Sequence, residues 1–201
     1  MNVSELISAL EYSTEEPCSE SVEWLSALPP ESSAYNAWRT CERGDWLMWL
    51  VSHDAVYHRA GERVLRLMAC DVADMALDRV CDFMAPSRAI AARASIDAAR
   101  ESALGKKTSN GLREASAKAY PAVMSVTDVC DSYEVYYTLR AALHTSGCDG
   151  YDPARAARVA VRNVSCSLAS LEDGTLEKAQ AIIVRRHVKW STVRDALEKS
   201  P

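Results

Sequence analysis

Apolar residues recur every three or four positions along most of this chain, which is the spacing of one face of an α-helix. The longest such pattern runs from Glu62 to Phe83. A second runs from Pro86, which suits the first turn of a helix, to Leu104. Further patterns cover residues 123–143 and 175–197. The sequence therefore predicts an all-α fold: an irregular multi-helix bundle of about eight to ten helices, with a solenoid-like stack as the alternative.

The most distinctive stretch is 38–50, in which three tryptophans surround a glycine and an aspartate. Gly44 is expected to close one helix in the left-handed conformation, and Asp45 to cap the next. Trp38 is then expected to fold back over Gly44, which brings the three indoles together. This arrangement predicts a core corner between two helices. The alternative interpretation is a binding groove lined by indole N–H groups and Arg43.

The same stretch resembles a known group of proteins through the run Cys-x-Arg-Gly-Asp-Trp-Leu-x-Trp-Leu at residues 41–50. The group consists of small helical proteins from bacteria and their phages that are called immunity proteins, after the proteins that neutralise polymorphic toxins. The matching residues are Cys41, Arg43, Gly44, Asp45, Trp46, Leu47, Trp49 and Leu50. The likeness continues more loosely through 63–70 and 86–115, so that it covers roughly residues 35–120. It implies a helical protein that binds another protein, and a phage origin would fit it.

Acidic charge is concentrated near the beginning of the chain. Residues 1–31 hold 7 of the 28 acidic residues and none of the 23 basic ones, so the remainder carries 21 acidic and 23 basic residues, a balance of +2. We therefore expect an acidic helical arm over residues 1–30 and a single helical domain over 31–201. The arm either packs on the basic C-terminal helix or presents carboxylates to a basic partner. Its candidate contact residues are Glu11, Glu15, Glu16, Glu20 and Glu23.

A second acidic group lies on the predicted helix from Glu62. Asp71, Asp74, Asp78 and Asp82 follow one another at three and four residues and so share one face. The common explanation is a solvated face, and the alternatives are a cation-binding site and a contact surface for a basic protein. The net charge of −5 argues against direct binding to nucleic acid.

Groups that bind metals or cofactors are not apparent in the sequence. His53 and His58 are five residues apart, so they diverge on a helix, and no Glu-x-x-His pattern accompanies them. The seven cysteines include no Cys-x-x-Cys pair, so neither a zinc module nor a disulfide framework is predicted. We expect no cofactor, a reducing cytoplasmic setting in a bacterium or a host cell, and no membrane association.

These observations lead to a first hypothesis: a non-enzymatic protein-binding inhibitor that neutralises a toxin, a nuclease or another bacterial defence component through its acidic surface. The alternative is a metal- or nucleotide-dependent enzyme whose site combines distant residues such as His53, His58 and the aspartates. A third possibility is a helical scaffold that associates through Tyr133, Tyr136 and Tyr137, since tyrosine is enriched in protein interfaces.

Overall fold

A computed structural model of the chain describes residues 1–11, 19–124, 133–145 and 174–199. These residues form eleven α-helices and one 3₁₀ turn, and they contain no strand beyond an isolated bridge between Asn2 and Ser33. The all-α prediction is therefore confirmed. A solenoid-like stack is not shown.

The helices are α1 (Val3–Glu11), α2 (Ser19–Ser26), α3 (Ala34–Thr40), α4 (Gly44–Ser52), α5 (Asp54–Ala60), α6 (Glu62–Val80), α7 (Pro86–Ala103), α8 (Ser109–Met124), α9 (Tyr133–Thr145), α10 (Gly174–His187) and α11 (Trp190–Leu197). The 3₁₀ turn, Cys81–Phe83, lies between α6 and α7.

The chain divides into two compact units, Met1–Gly61 with Glu177–Pro201, and Glu62–Leu176. Gly61 ends the first stretch of unit 1 at a φ of 84°, a left-handed conformation that suits glycine. This grouping joins the two ends of the chain. The predicted division after residue 30 stays a prediction.

Unit 1 is built around the contacts of α1 and α5. Helix α1 packs on α2, α3 and α11, while α5 packs on α4 and α11. The start of α1 is a capping box, in which the Glu5 amide donates to Asn2 Oδ1 at 2.8 Å and the Asn2 amide donates to Glu5 Oε2 at 2.7 Å. The hydrogen bond from the Asn2 backbone lowers the pKa of Glu5. The amides of Val3 and Ser4 donate to the carbonyls of Ser32 and Pro30, so the first helix is tied to the segment before α3.

Unit 2 is a cluster of helices in which α7 contacts α6, α8 and α9, and α9 also contacts α6 and α8. Ala69, Ala73, Ala92 and Ala99 are fully buried, so small side chains allow these helices to approach closely. The Ser95 hydroxyl is also buried and donates to the Ala142 carbonyl at 3.2 Å, which joins α7 to α9. Small side chains and a buried hydrogen bond thus hold the helices of unit 2 close together.

The structure corrects the predicted roles of Gly44 and Asp45. Helix α3 already ends at Thr40. Gly44 does not have a positive φ and is the first residue of α4, and Arg43, not Asp45, is the N-cap of that helix. Glycine is needed there because a Cβ would lie 2.5 Å from Gln180 Cβ and 2.8 Å from the Ala181 backbone nitrogen. Helix α10, rather than Trp38, therefore occupies the space beside Gly44.

One helix boundary also differs from the pattern, and two single residues lie at other helix ends. The segment predicted as one helix over 175–197 is two helices, because the backbone at Lys189 is extended and starts α11 anew. Pro121 lies inside the last turn of α8. His53 caps α5 as a buried residue whose Nδ1 accepts from the Ala55 amide at 3.3 Å.

Candidate functional site

The acidic face of α6 is paired with arginines of α7. Asp74 accepts hydrogen bonds from Arg93, at 2.5 Å, and from Arg100. Arg93 also reaches Asp78, and Arg100 reaches Asp71 at 3.1 Å. Burial works to lower the pKa of Arg100, but the hydrogen bonds to Asp74 and Asp71 outweigh it and the pKa stands above its usual value. Three of the four predicted contact aspartates thus hold two helices of unit 2 together.

Asp82 is the remaining member of this group and differs from the others. It is exposed, and its side chain accepts one hydrogen bond among the described residues, a weak one from Cys81 Sγ at 3.8 Å. It forms no ion pair within the described part of the chain. Its charge is therefore available to a partner.

Two large apolar side chains lie at the same end of α6 and α7. Phe83, the only phenylalanine of the chain, is 78% exposed, and Ile90 is 70% exposed. The sequence pattern had placed Phe83 on the buried stripe of a continuous helix. That expectation is wrong because α6 ends at Val80, and the following 3₁₀ turn buries Met84 instead. We call Asp78, Asp82, Phe83 and Ile90 the α6–α7 corner.

The carboxylates of the predicted arm have different surroundings. Glu20 lies 3.4 Å from Arg43, whereas Glu23 is exposed and forms no ion pair among the described residues. Glu11 is the last residue of α1, and its side chain lies outside what the structure describes. Glu15 and Glu16 also lie outside the described residues, as do the side chains of Tyr133, Tyr136 and Tyr137.

Arg43 is the centre of a charged cluster in unit 1. Its guanidinium donates to Asp45 at 2.9 and 2.7 Å, lies 3.4 Å from Glu177, and stacks 4.6 Å above the Trp46 ring. Hydrogen bonding to Asp45, together with the charges of Glu177 and Glu20, holds the pKa of Arg43 above its usual value. Asp45 thus orients a guanidinium instead of capping a helix.

Beside this cluster lies an apolar cavity of about 30 Å³. All five tryptophans of the chain line it, so the predicted gathering of three indoles is confirmed and extended by two. The lining residues are Leu6, Leu10, Ser21, Trp24, Leu25, Ala37, Trp38, Cys41, Trp46, Leu47, Trp49, Leu50 and Trp190. The ring centroids of Trp24 and Trp46 are 5.4 Å apart, and those of Trp38 and Trp190 are 6.2 Å apart.

No signal in the sequence pointed to Trp24 or Trp190 as members of this cluster, because they lie on separate helices, α2 and α11, and periodicity within a helix does not show which helices pack together. Among the described residues, no three histidine, cysteine, aspartate or glutamate side chains are grouped so that they could hold a metal ion. None of the described helices combines the length and apolar character that a bilayer crossing requires.

Comparisons with protein-family models, with curated proteins and with solved structures return no significant match. The likeness to immunity proteins therefore stays a prediction from the motif at residues 41–50.

Proposed function

We propose that this chain is a non-enzymatic protein-binding inhibitor of the immunity type, and that it contacts its partner through the α6–α7 corner. The observation on which this depends is the exposure of Phe83. Full burial of such a side chain stabilises a protein by about 1.5–3 kcal/mol, so an exposed one leaves that free energy for a partner to recover. Single exposed apolar residues are common on protein surfaces, but here Ile90 lies at the same end of the helix pair.

The charge of the corner supports a basic partner. Asp82 has no ion pair among the described residues, and Asp78 remains largely exposed although it contacts Arg93. A toxin or nuclease that binds nucleic acid presents basic residues, and complementary charge speeds its encounter with an acidic surface. Aromatic side chains such as Phe are enriched in protein interfaces, and the rim around the apolar core of an interface is polar.

This proposal changes which acidic residues are useful for a test. Substituting Asp71, Asp74 or Asp78 would disturb the pairing of α6 with α7, so lost binding could reflect lost structure. Asp82 and Glu23 are exposed without an ion pair in the described residues, so Asp82→Asn and Glu23→Gln probe contact directly. We expect Asp82→Asn to weaken partner binding and Glu23→Gln to leave it unchanged.

The main test is affinity capture from cells of the source organism with three tagged forms: wild type, Phe83→Ser/Ile90→Ser, and Ile182→Ser. Ile182 is the matched control because it is an exposed isoleucine of unit 1, on α10. We expect one protein to be recovered with wild type and control, and at least tenfold less of it with the double variant, since each tenfold change corresponds to about 1.4 kcal/mol.

The inhibitory part of the proposal needs a second measurement. The captured protein is purified and its activity is measured with increasing amounts of the wild-type chain. We expect inhibition that saturates at a fixed molar ratio and that the double variant loses. Equal recovery by all three forms, or a captured protein whose activity the chain leaves unchanged, would contradict the proposal.

A further inference from the structure

The exposed side of helix α10 carries basic residues around one apolar side chain. Lys178, Ile182 and Arg186 follow one another at intervals of four residues and therefore share one face of the helix. Ile182 is 55% exposed, although the residues on either side of it are buried. Lys189 is also exposed and lies just after the end of α10. We call Lys178, Ile182, Arg186 and Lys189 the α10 face.

The charge of the α10 face is only partly compensated within the chain. Lys178 lies 2.9 Å from Glu42, but Arg186 and Lys189 are exposed and form no ion pair among the described residues. The neighbouring Arg185 differs from them, because its guanidinium donates to backbone carbonyls at the end of α3 and so holds the fold together. Two positive charges of the α10 face are therefore available to an anionic group.

The α6–α7 corner has the complementary composition. It carries the exposed side chains of Phe83 and Ile90 beside the carboxylates of Asp78 and Asp82. Each surface thus offers apolar area and charge that the folded chain leaves exposed, and the two charges are opposite in sign. Opposite charges attract over roughly 8 Å at physiological ionic strength and favour one orientation of contact. Every copy of the chain carries both surfaces, so a second copy is an occupant of the stated chemistry.

We propose that the α10 face of one copy binds the α6–α7 corner of a second copy. Ile182 then packs on the two apolar side chains of the corner, while Arg186 and Lys189 face its carboxylates. The contact joins two different surfaces, so it is heterologous and repeats from copy to copy.

This contact is small, because only a few residues contribute on each side, whereas a stable interface involves about 20–30 residues a side. We therefore expect a weak, reversible association that high salt weakens further. Its regulatory consequence rests on the proposed function: the second copy and the partner protein compete for the same corner. A partner with a larger interface displaces the second copy.

Sedimentation equilibrium of the pure chain at physiological salt tests the contact directly. The corner variant is Phe83→Ser/Ile90→Ser, and the face variant is Arg186→Glu/Lys189→Glu. We expect the average mass of the wild type to rise with concentration. Each variant alone should associate at least about tenfold more weakly, because it lacks the apolar or the charged part of the contact.

The control variant is Arg113→Glu/Lys118→Glu. It changes the net charge by the same amount as the face variant, at exposed residues of α8 that form no ion pair in the described part of the chain. We expect it to associate like the wild type. Weakening equal to that of the face variant would show that net charge, and not the α10 face, governs the association.

A mixture of the corner variant and the face variant gives the sharpest result. The corner variant keeps its α10 face, and the face variant keeps its corner. We therefore expect the two to form one-to-one pairs that do not grow further, because the remaining surfaces of each pair are both altered. Such pairs also show that both variants are folded.

Four outcomes would overturn the proposal. The first is a wild-type chain that stays monomeric at every concentration. The second is a pair of variants that each associate like the wild type. The third is a mixture without pairs although circular dichroism shows both variants folded. The fourth is a fluorescein-labelled single-stranded oligonucleotide that binds the wild type and not the face variant, because the occupant would then be a nucleic acid.

These measurements use the pure chain, so their result is independent of the affinity capture on which the proposed function depends. Ile182→Ser separates the two further. We expect this variant to associate with itself more weakly than the wild type while it still captures the partner protein. Self-association equal to that of the wild type would contradict the place of Ile182 in the contact between copies.

Discussion

At the residue scale, the identity of Gly44 is explained by the distance between two helices. Its Cα lies against Gln180 and the backbone of Ala181, and this contact leaves no room for a side chain. The sequence predicted that this glycine is important but gave the wrong reason, because the residue that approaches it is 136 positions later in the chain. Local rules for turns and caps cannot reveal such a contact.

Gly44→Ala should therefore destabilise unit 1 by about 1–3 kcal/mol, the usual effect of forcing a methyl group into a packed site. Gly174→Ala is the control, because a Cβ there would meet nothing within 4 Å, and its effect should be neutral or slightly stabilising. Urea unfolding of the three proteins measures both effects. Equal stabilities of wild type and Gly44→Ala would show that α10 does not approach Gly44 this closely.

The buried thiols give a pH dependence at the same scale. Burial raises the pKa of Cys41 to about 11 and that of Cys70 to about 12, above the value of 9.0 for an exposed thiol. Between pH 9 and 11 the unfolded chain therefore holds fewer protons than the folded one, and stability falls as the pH rises. The slope is at most about 1.4 kcal/mol per pH unit for each thiol.

Comparison with Cys41→Ala/Cys70→Ala isolates this contribution from lysine and tyrosine titration. The double variant is expected to be less stable at pH 7 but to lose less free energy of unfolding between pH 9 and 11. A wild-type slope no steeper than that of the variant would contradict the assigned burial.

At the element scale, helix type and position followed from apolar periodicity and from Pro86, and α6 and α7 lie close to where the pattern placed them. The ends of elements were harder to predict. The 3₁₀ turn after Val80 rotates Phe83 out of the buried stripe, and the break at Lys189 divides one apolar pattern into two helices. Apolar periodicity assigns a residue to a face only while the helix continues, so it predicts neither event.

The aspartates of α6 show how the same pattern can have two physical roles. Asp74 joins Arg93 and Arg100, whereas Asp82 contacts no basic residue in the described structure. Asp74→Asn should lower the free energy of unfolding by about 1–2 kcal/mol, since it removes the acceptor shared by two guanidinium groups. Thermal or urea unfolding measures this loss.

Asp82→Asn is the matched control and should change the stability by less than about 0.5 kcal/mol. The loss of stability from Asp74→Asn should also be smaller in high salt, because the ion pairs of Asp74 are partly exposed and salt screens their attraction. Identical effects of the two substitutions would refute the distinction between a structural and an available carboxylate.

At the scale of the whole molecule, the two ends of the chain belong to one unit. The amino group of Met1 lies 3.8 Å from Glu198, and Trp190 lies against Trp38. The sequence indicated that acidic and basic residues are unevenly distributed along the chain. It could not indicate that α1 packs on α11, because contacts between distant segments leave no periodic signal.

The predicted contact residues whose side chains the structure describes fall into two classes, those paired with arginines inside the fold and those exposed without an ion pair among the described residues. The sequence identified Asp82 and Glu23 together with carboxylates that hold the fold together, and only the positions of Arg93, Arg100 and Arg43 separate the two classes. Phe83 and Ile90 were not among the candidates, since an apolar residue on a helical pattern is normally buried. The proposed surface therefore combines two residues that the sequence singled out for contact, Asp78 and Asp82, with two that the structure adds.

The measurement that tests the central claim most directly is hydrogen exchange of the chain with and without its captured partner. We expect the partner to slow exchange in peptides covering residues 78–92, and the Phe83→Ser/Ile90→Ser variant to show no such protection at the same concentrations. Protection confined to other described segments, with exchange at 78–92 unchanged, would contradict the claim that the α6–α7 corner is the surface through which this protein acts.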